Sequence, residues 1–238
     1  MNKVSAIILA AGSGTRFGEK KQFKKLNGEP IWTYSLKTFV QSEYIGEVIL
    51  VIPQEFVSEI QSSRTVDKFS NQIDIKIVKG GKSRQNSVMN GLSAVENKYN
   101  LVCIHDAARP FVRSSYIKKT IEACSEFDSS IVAVAATDTI KKVENEIIKK
   151  TIDRNYIWMA QTPQTFQKEK LLKAFKLFPQ VNITDESMIM ELAGFTTKII
   201  EGDANNLKIT QALDWELVKL IGGKTLGLMA WNQSLIRQ

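Results

Sequence analysis

From Val4 to Ala11 a single serine interrupts a run of apolar, mostly branched side chains, Val-Ser-Ala-Ile-Ile-Leu-Ala-Ala. A strand of that composition needs both faces covered, which calls for a sheet buried between layers of helices. The run empties into Gly12-Ser-Gly-Thr-Arg-Phe-Gly18, where glycine lets backbone amides turn inward as phosphate-cradling loops do. Arg16, Lys20 and Lys21 stand just beyond, so amides and fixed positive charge are offered together. A polyphosphate is the ligand this pattern suits.

Two familiar phosphate loops do not fit. The dinucleotide fingerprint needs a third glycine where Phe17 stands. A P-loop needs a glycine five residues before its Gly-Lys-Ser/Thr, yet Lys76 precedes Gly81-Lys82-Ser83 and Val218 precedes Gly223-Lys224-Thr225 at that distance. A nicotinamide-dependent oxidoreductase is disfavoured on the first count.

Beyond the opening strand, short apolar runs alternate with amphipathic stretches, the pattern of a mainly parallel sheet covered on both faces. Strands are expected at Val4–Ala10, Glu47–Ile52, Ile73–Val78, Leu101–His105, Ser130–Ala135 and Lys198–Glu201. Helices are expected near Ile31–Ser42, Phe56–Ser62, Ser83–Val95, Ser115–Ser125, Lys168–Phe178, Thr184–Leu192 and Thr210–Ile221. Ile140 to Ile157 breaks the alternation and reads as two short charged strands around Glu144-Asn-Glu146. Gly222-Gly223 is expected to end the last helix, leaving 222–238 as an extension of unassigned role.

The 238 residues, 43% of them hydrophobic, suffice for one large α/β domain. No run reaches the roughly 18 apolar residues of a membrane span, and the first strand begins too early for a leader peptide. Cys103 and Cys124 sit in apolar contexts and read as reduced core thiols of a cytoplasmic protein. The net charge of +7 is spread without a basic block or an RNA-binding motif, so small phosphorylated ligands are expected rather than nucleic acid or membrane.

Five later segments bear on the chemistry. Gly80-Gly81-Lys-Ser-Arg-Gln-Asn-Ser87 is a second glycine turn, in which Ser83 caps a helix and Gly81 admits a planar ring whose edge Ser87 can read. His105-Asp106-Ala-Ala-Arg-Pro110 follows a strand, where ligands of open parallel sheets gather. Asp106 there is either a hard carboxylate for Mg²⁺ or a turn cap; His105, the only histidine, reads as a satisfied near-core residue and not a general base. Ala160–Phe166 reads as a loop. Thr184 is expected to cap a helix with acids in its first turn, and Gly202–Thr210 is a polar loop holding Lys208.

Taken in order, these motifs resemble the cytidylyltransferases of the nucleotide-diphospho-sugar transferase type, most closely the branch acting on 2-C-methyl-D-erythritol 4-phosphate. The resemblance runs over about Val4 to Ile221 and rests on Ala10–Arg16, Lys21-Gln22, Gly80–Val88, His105–Pro110, Asp138–Lys141, Asp153-Arg154 with Trp158, Gln161–Gln164, Thr184–Glu186 and Glu201-Gly202 with Asn206 and Lys208. It implies a three-layer Rossmann-like fold with a protruding β-arm, and CMP transfer from CTP with Mg²⁺ at Asp106. Arg16, Lys21, Arg154 and Lys208 would be catalytic. Ala10, Ala11, Gly12, Gly14, Thr15, Gly81, Arg84, Ser87, Asp106 and Ala107 would bind CTP. Thr137, Thr139, Arg109, Thr162, Thr184 and Asp185 would bind the polyol phosphate. The arm, about 138–157, would clasp a second copy of the chain and bring Arg154 to the partner's site.

Lys20 replaces the family's usual proline and stands beside Lys21, where it is placed to share its task. A ribitol 5-phosphate cytidylyltransferase on the same scaffold is the nearest rival, and the Asp106–Pro110 form and Trp158 favour the methylerythritol branch. A non-catalytic nucleotide-binding regulator is disfavoured by Arg16, Lys21, Asp106 and Lys208.

Overall fold

The computed structural model describes residues 3–12, 14 and 17–235; Ser13, Thr15 and Arg16 of the first glycine loop lie outside them. In chain order the elements are β1 (Val4–Leu9), β2 (Lys25–Leu26), β3 (Glu29–Pro30), α1 (Ile31–Val40), β4 (Ile45–Ile52), α2 (Val57–Gln61), α3 (Arg64–Ser70) and β5 (Asp74–Lys79). There follow α4 (Arg84–Ala94), β6 (Leu101–Asp106), α5 (Ser114–Ala123), β7 (Ser129–Ala135), β8 (Ile140–Glu144) and β9 (Ile147–Ile152). The chain continues through β10 (Trp158–Gln167), α6 (Lys168–Leu177), α7 (Glu186–Leu192), β11 (Thr197–Glu201) and α8 (Ala212–Leu235).

Seven strands form one sheet in the order β11-β7-β10-β6-β1-β4-β5. β1 runs parallel to β4 and β6, β4 to β5, and β7 to β11; β10 alone is antiparallel, to both β6 and β7. The alternation along β1 shows why the opening run had to be apolar throughout. Val4, Ala6 and Ile8 enter a core shared with Leu36 and Phe39 of α1 and Ile117 and Ile121 of α5. Ile7 enters the opposite core, with Val88 and Leu92 of α4, Leu171 of α6 and Ile189 of α7. The expected three-layer, mostly parallel architecture is borne out.

β1 sits between β4 and β6, so the chain leaves it to one side and later returns to the other. That reversal opens a crevice at the carboxyl ends of β1 and β6, the place where such sheets hold ligands.

Three expectations are corrected. Ala160–Phe166, read as a loop, lies inside β10 and is the inner part of the sheet; its Gln, Thr and Pro content hides a strand whose Gln161, Thr162 and Gln164 side chains bond to Asp203, His105 and Asp185 of neighbouring segments. Gly222-Gly223 does not end the last helix, which runs on to Leu235, because the pair costs only about 1 kcal/mol per glycine in helix propensity and Gly222 lies against Leu26. The helix expected from Thr184 begins after Asp185, which is the residue that caps it.

The charged hairpin is observed as expected. β8 and β9 pair only with each other, Asn145 and Glu146 turning at φ of 50° and 63°. Its base is joined to the sheet by the Ala136 amide, which donates to the Ile157 carbonyl.

Candidate active site

The loop after β1 is held from below by one side chain. Gln22 is buried in a single 3₁₀ turn, Lys21–Phe23, and its amide donates to the carbonyls of Ala10 at 2.7 Å and Gly12 at 2.8 Å. Gly14 takes a φ of 72°, which glycine adopts without strain. The second glycine turn packs on the first: a Cβ at Gly80 would fall 2.2 Å from the Ala11 Cβ. Beyond it Ser83 caps α4, as expected, by accepting from the Asn86 amide at 3.0 Å. The Ser87 hydroxyl accepts from the Gly81 amide and donates to the Ser83 carbonyl, both at 3.0 Å, so it fixes the shape of this loop.

Lys20 and Lys21 part company. The Lys20 ammonium pairs with Glu55 and lies 5.1 Å from the centre of the Phe56 ring. Asp214 caps the start of α8 by accepting from the Thr210 and Gln211 amides; burial would raise its carboxyl, but these hydrogen bonds, with a smaller contribution from the Lys21 charge, hold it below its ordinary value.

Asp106 ends β6 at the crevice. Lys208 Nζ donates to its Oδ2 at 2.6 Å, and Arg84 Nε to its Oδ1 at 3.4 Å. Burial by itself would raise this carboxyl, but Arg84 and Lys208 outweigh burial and hold it well below the usual carboxylate range. Arg84 also grips Glu186 through Nη1, at 2.6 and 2.8 Å to the two carboxylate oxygens. Burial works against the Arg84 charge, and the two carboxylates more than offset it. Glu186, on the first turn of α7, is fully buried.

Behind Asp106 lies a closed hydrogen-bond frame. The Thr162 hydroxyl accepts from the Asp106 amide at 3.0 Å and lies 3.0 Å from His105 Nδ1, while His105 Nε2 lies 3.2 Å from the Arg109 carbonyl. With its own proton directed to Nδ1, Thr162 leaves Nε2 as the protonated nitrogen that donates to Arg109. Burial pushes this imidazole down to about 4, so the ring is neutral, in line with its reading as a satisfied interior residue. Arg109 in turn donates from Nη1 to the Asn206 carbonyl at 2.7 Å, and the Asn206 amide reaches Gln161 and the Thr162 carbonyl at 2.9 and 3.0 Å. β10 shifts register between Gln161 and Gln164, and that bulge lets Thr162 serve this frame.

These side chains surround a cavity of about 180 Å³, whose lining includes Arg84, Asp106, Arg109, Thr162, Thr184, Asp185 and Lys208. Ala10, Ala11, Gly12, Gly14, Gly81, Ser87 and Ala107 belong to the adjoining loops and strand end. Thr137, Thr139 and Arg154 sit exposed at the stem of the arm, where the Arg154 guanidinium donates to the Thr137 carbonyl. Thr15 and Arg16 fall outside the described residues. The sequence reading missed Glu186, taken for a helix-start acid, and the frame residues Gln22, Gln161 and Asn206. Their only signal was being polar inside motifs, which does not distinguish a buried brace from a solvated loop.

The donors fit a cation delivered with its ligand. One hard carboxylate, Asp106, suits Mg²⁺ that keeps several waters and is bound through substrate phosphates rather than in an all-protein cage. Among the described residues, the one group of three acids close enough to share an ion is Glu47, Asp74 and Glu96. It lies at the other end of the sheet, and Lys76 Nζ already stands 2.8, 3.6 and 3.2 Å from their oxygens.

A crevice at a switch point, two interlocked glycine loops and a carboxylate held ionised among cations describe a nucleotide-handling site. The family model for 2-C-methyl-D-erythritol 4-phosphate cytidylyltransferase matches residues 4–223. The chain belongs to this family. An enzyme of that name from Caldanaerobacter subterraneus subsp. tengcongensis is 40% identical over 222 residues, covering 91% of this chain and 97% of the relative. A bifunctional IspD/IspF enzyme from Desulfotalea psychrophila is 38% identical, and the match spans 55% of that longer protein. Among solved structures, the 4-diphosphocytidyl-2C-methyl-D-erythritol synthase of Anaerococcus prevotii superposes with a TM-score of 0.82 at 29% identity, over 92% of this chain and 98% of that one. The Francisella tularensis cytidylyltransferase gives a TM-score of 0.76 at 33% identity, over 92% and 99% of the two chains. Membership of the 2-C-methyl-D-erythritol 4-phosphate cytidylyltransferase family makes the chain a nucleotidyltransferase of isoprenoid precursor synthesis, as its motifs implied, and the ribitol phosphate reading is not favoured.

Proposed function

We propose that the chain transfers CMP from CTP to 2-C-methyl-D-erythritol 4-phosphate, giving 4-diphosphocytidyl-2-C-methyl-D-erythritol and pyrophosphate. The observation that carries this reading is Asp106, ionised at the carboxyl end of β6 between Lys208 and Arg84.

The attacking group is a phosphate oxygen, already anionic at neutral pH, so no general base is needed. It bonds to the α-phosphorus of CTP as the bond to the leaving pyrophosphate breaks. Catalysis then rests on alignment and charge neutralisation. Lys208 and Arg154 are assigned to the attacking phosphate, and Arg109, Thr137, Thr139, Thr162, Thr184 and Asp185 to the rest of the polyol phosphate. Lys21 and Arg16 are assigned to the triphosphate, and the glycine loops to the cytidine. Mg²⁺ held by Asp106 supplies Lewis-acid neutralisation of phosphate oxygens when bound.

The working form in this reading is a cytoplasmic homodimer clasped through the arm. Its support is the arm's surface: Val143 and Ile148, 50% and 61% exposed, pair across the two strands as an apolar patch on one face, and Ile147, 61% exposed, stands on the other, uncovered area that suits a second copy of the chain. Arg154, whose planar fork matches phosphate, would then serve the partner's site.

Pyrophosphate release from CTP, measured with each polyol phosphate offered separately and with Mg²⁺ varied, tests the reading. The fastest release is expected with methylerythritol 4-phosphate and only with Mg²⁺. Faster release with ribitol 5-phosphate overturns the substrate, and metal-independent turnover overturns the role of Asp106.

A further inference from the structure

Arg84 is shared unequally between two carboxylates. Its Nη1 makes two short bonds to Glu186, at 2.6 and 2.8 Å, whereas Nε makes one long bond of 3.4 Å to Asp106. Glu186 is fully buried on α7, while Asp106 and Lys208 line the cavity. The elements that meet here come from distant parts of the chain, α4 supplying the guanidinium and α7 its anchor. The strong pair therefore faces away from the reaction and the weak one faces into it.

We propose that Glu186 is a positioning residue for nucleotide binding: it fixes Arg84 so that the guanidinium stays at the cavity when Asp106 exchanges its ion pairs for a metal ion and Lys208 and Arg84 turn to phosphate oxygens. This rests on the reading of Arg84 as a CTP ligand. The geometry gives the reason. If Asp106 were the only anchor, every turnover that recruited its carboxylate would release a cation needed beside the triphosphate. With Glu186 as the anchor, Asp106 is free to change partners and Arg84 keeps its place. Without Glu186, the guanidinium would close onto Asp106 and tie up the carboxylate as well.

The test is a double-mutant cycle read by calorimetric CTP binding, with thermal unfolding of each variant. Arg84→Met and Glu186→Gln are each expected to weaken CTP binding by about tenfold or more, the usual effect of losing a charge-assisted hydrogen bond. The double variant is expected to bind no more weakly than Arg84→Met alone, since Glu186 acts only through Arg84. A merely structural Glu186 would lower the melting temperature and leave CTP affinity unmoved, which overturns the proposal. Additive losses in the double variant overturn it too. If Arg84→Met binds CTP like the parent, the reading of Arg84 as a nucleotide ligand fails first, and that result is distinct from Glu186→Gln alone being silent. Should Glu186→Gln not fold, Glu186→Asp keeps the charge but withdraws it by one methylene, and the same loss of affinity is expected.

Discussion

Asp106 and His105 are neighbours in sequence and opposites in charge behaviour. Asp106 is held ionised by cations that reach it from α4 and from the loop before α8. Its neutral isostere keeps the shape and loses the charge, so Asp106→Asn is expected to fold normally, because Arg84 retains Glu186, and to bind Mg·CTP poorly. Unchanged turnover across a Mg²⁺ titration would reduce Asp106 to a turn residue. His105 is buried neutral, with its pKa near 4 against an ordinary 6.5. Between those values the unfolded chain binds a proton that the folded chain refuses, so stability is full above about 6.5 and falls as pH drops toward 4, by up to about 3 kcal/mol from this group. His105→Gln, which still offers an acceptor to Thr162 and a donor to the Arg109 carbonyl, is expected to flatten that slope in urea unfolding measured from pH 7 to 4. An unchanged slope would place the titrating group elsewhere.

The β8–β9 hairpin tests the role of a whole element. Mixing Arg154→Ala chains with Lys21→Ala chains is expected to restore one intact site per mixed dimer, each parent alone being nearly inactive. Pyrophosphate release after verified subunit exchange measures it, and no recovery would place Arg154 in its own chain's site or nowhere. This hairpin was legible from its period and its Glu-Asn-Glu turn, as were the parallel strands, whose apolar runs admit no other use. β10 was not legible. Val, Ile and Leu mark a strand that is buried in apolar surroundings, but Gln161, Thr162 and Gln164 are buried among polar partners, and their pattern resembles that of a loop. Glu186 was hidden similarly, since an acid in the first turn of a helix already has a local explanation in the helix dipole. The course of α8 past Gly222-Gly223 depended on tertiary contact with Leu26, which overrides the local cost of glycine. The site was legible as motifs, and not as the braces that join them.

The seven-stranded sheet separates two large cores, one on each face, and they should stand or fall together. Leu36, in the core beneath α1, and Phe166, in the core beneath α6, are both fully buried. Leu36→Ala is expected to cost about 2–5 kcal/mol and Phe166→Ala about 3–5 kcal/mol. In each variant near- and far-ultraviolet circular dichroism should report one coincident transition in denaturant; separate transitions would mean that the two faces unfold independently.

β10 has a mechanical meaning as well. Trp158, at the foot of the arm, pairs with Ala135, and Gln167, deep in the sheet, pairs with Leu101. The strand between them is a tie rod: any load taken by the arm is delivered to Gln161 and Thr162, and through Thr162 to the amide of Asp106. Lengthening or shortening the rod by one residue would move Gln161 and Thr162 out of register with β6 and β7, whereas a residue added at the hairpin tip, beside Asn145 and Glu146, leaves that register untouched.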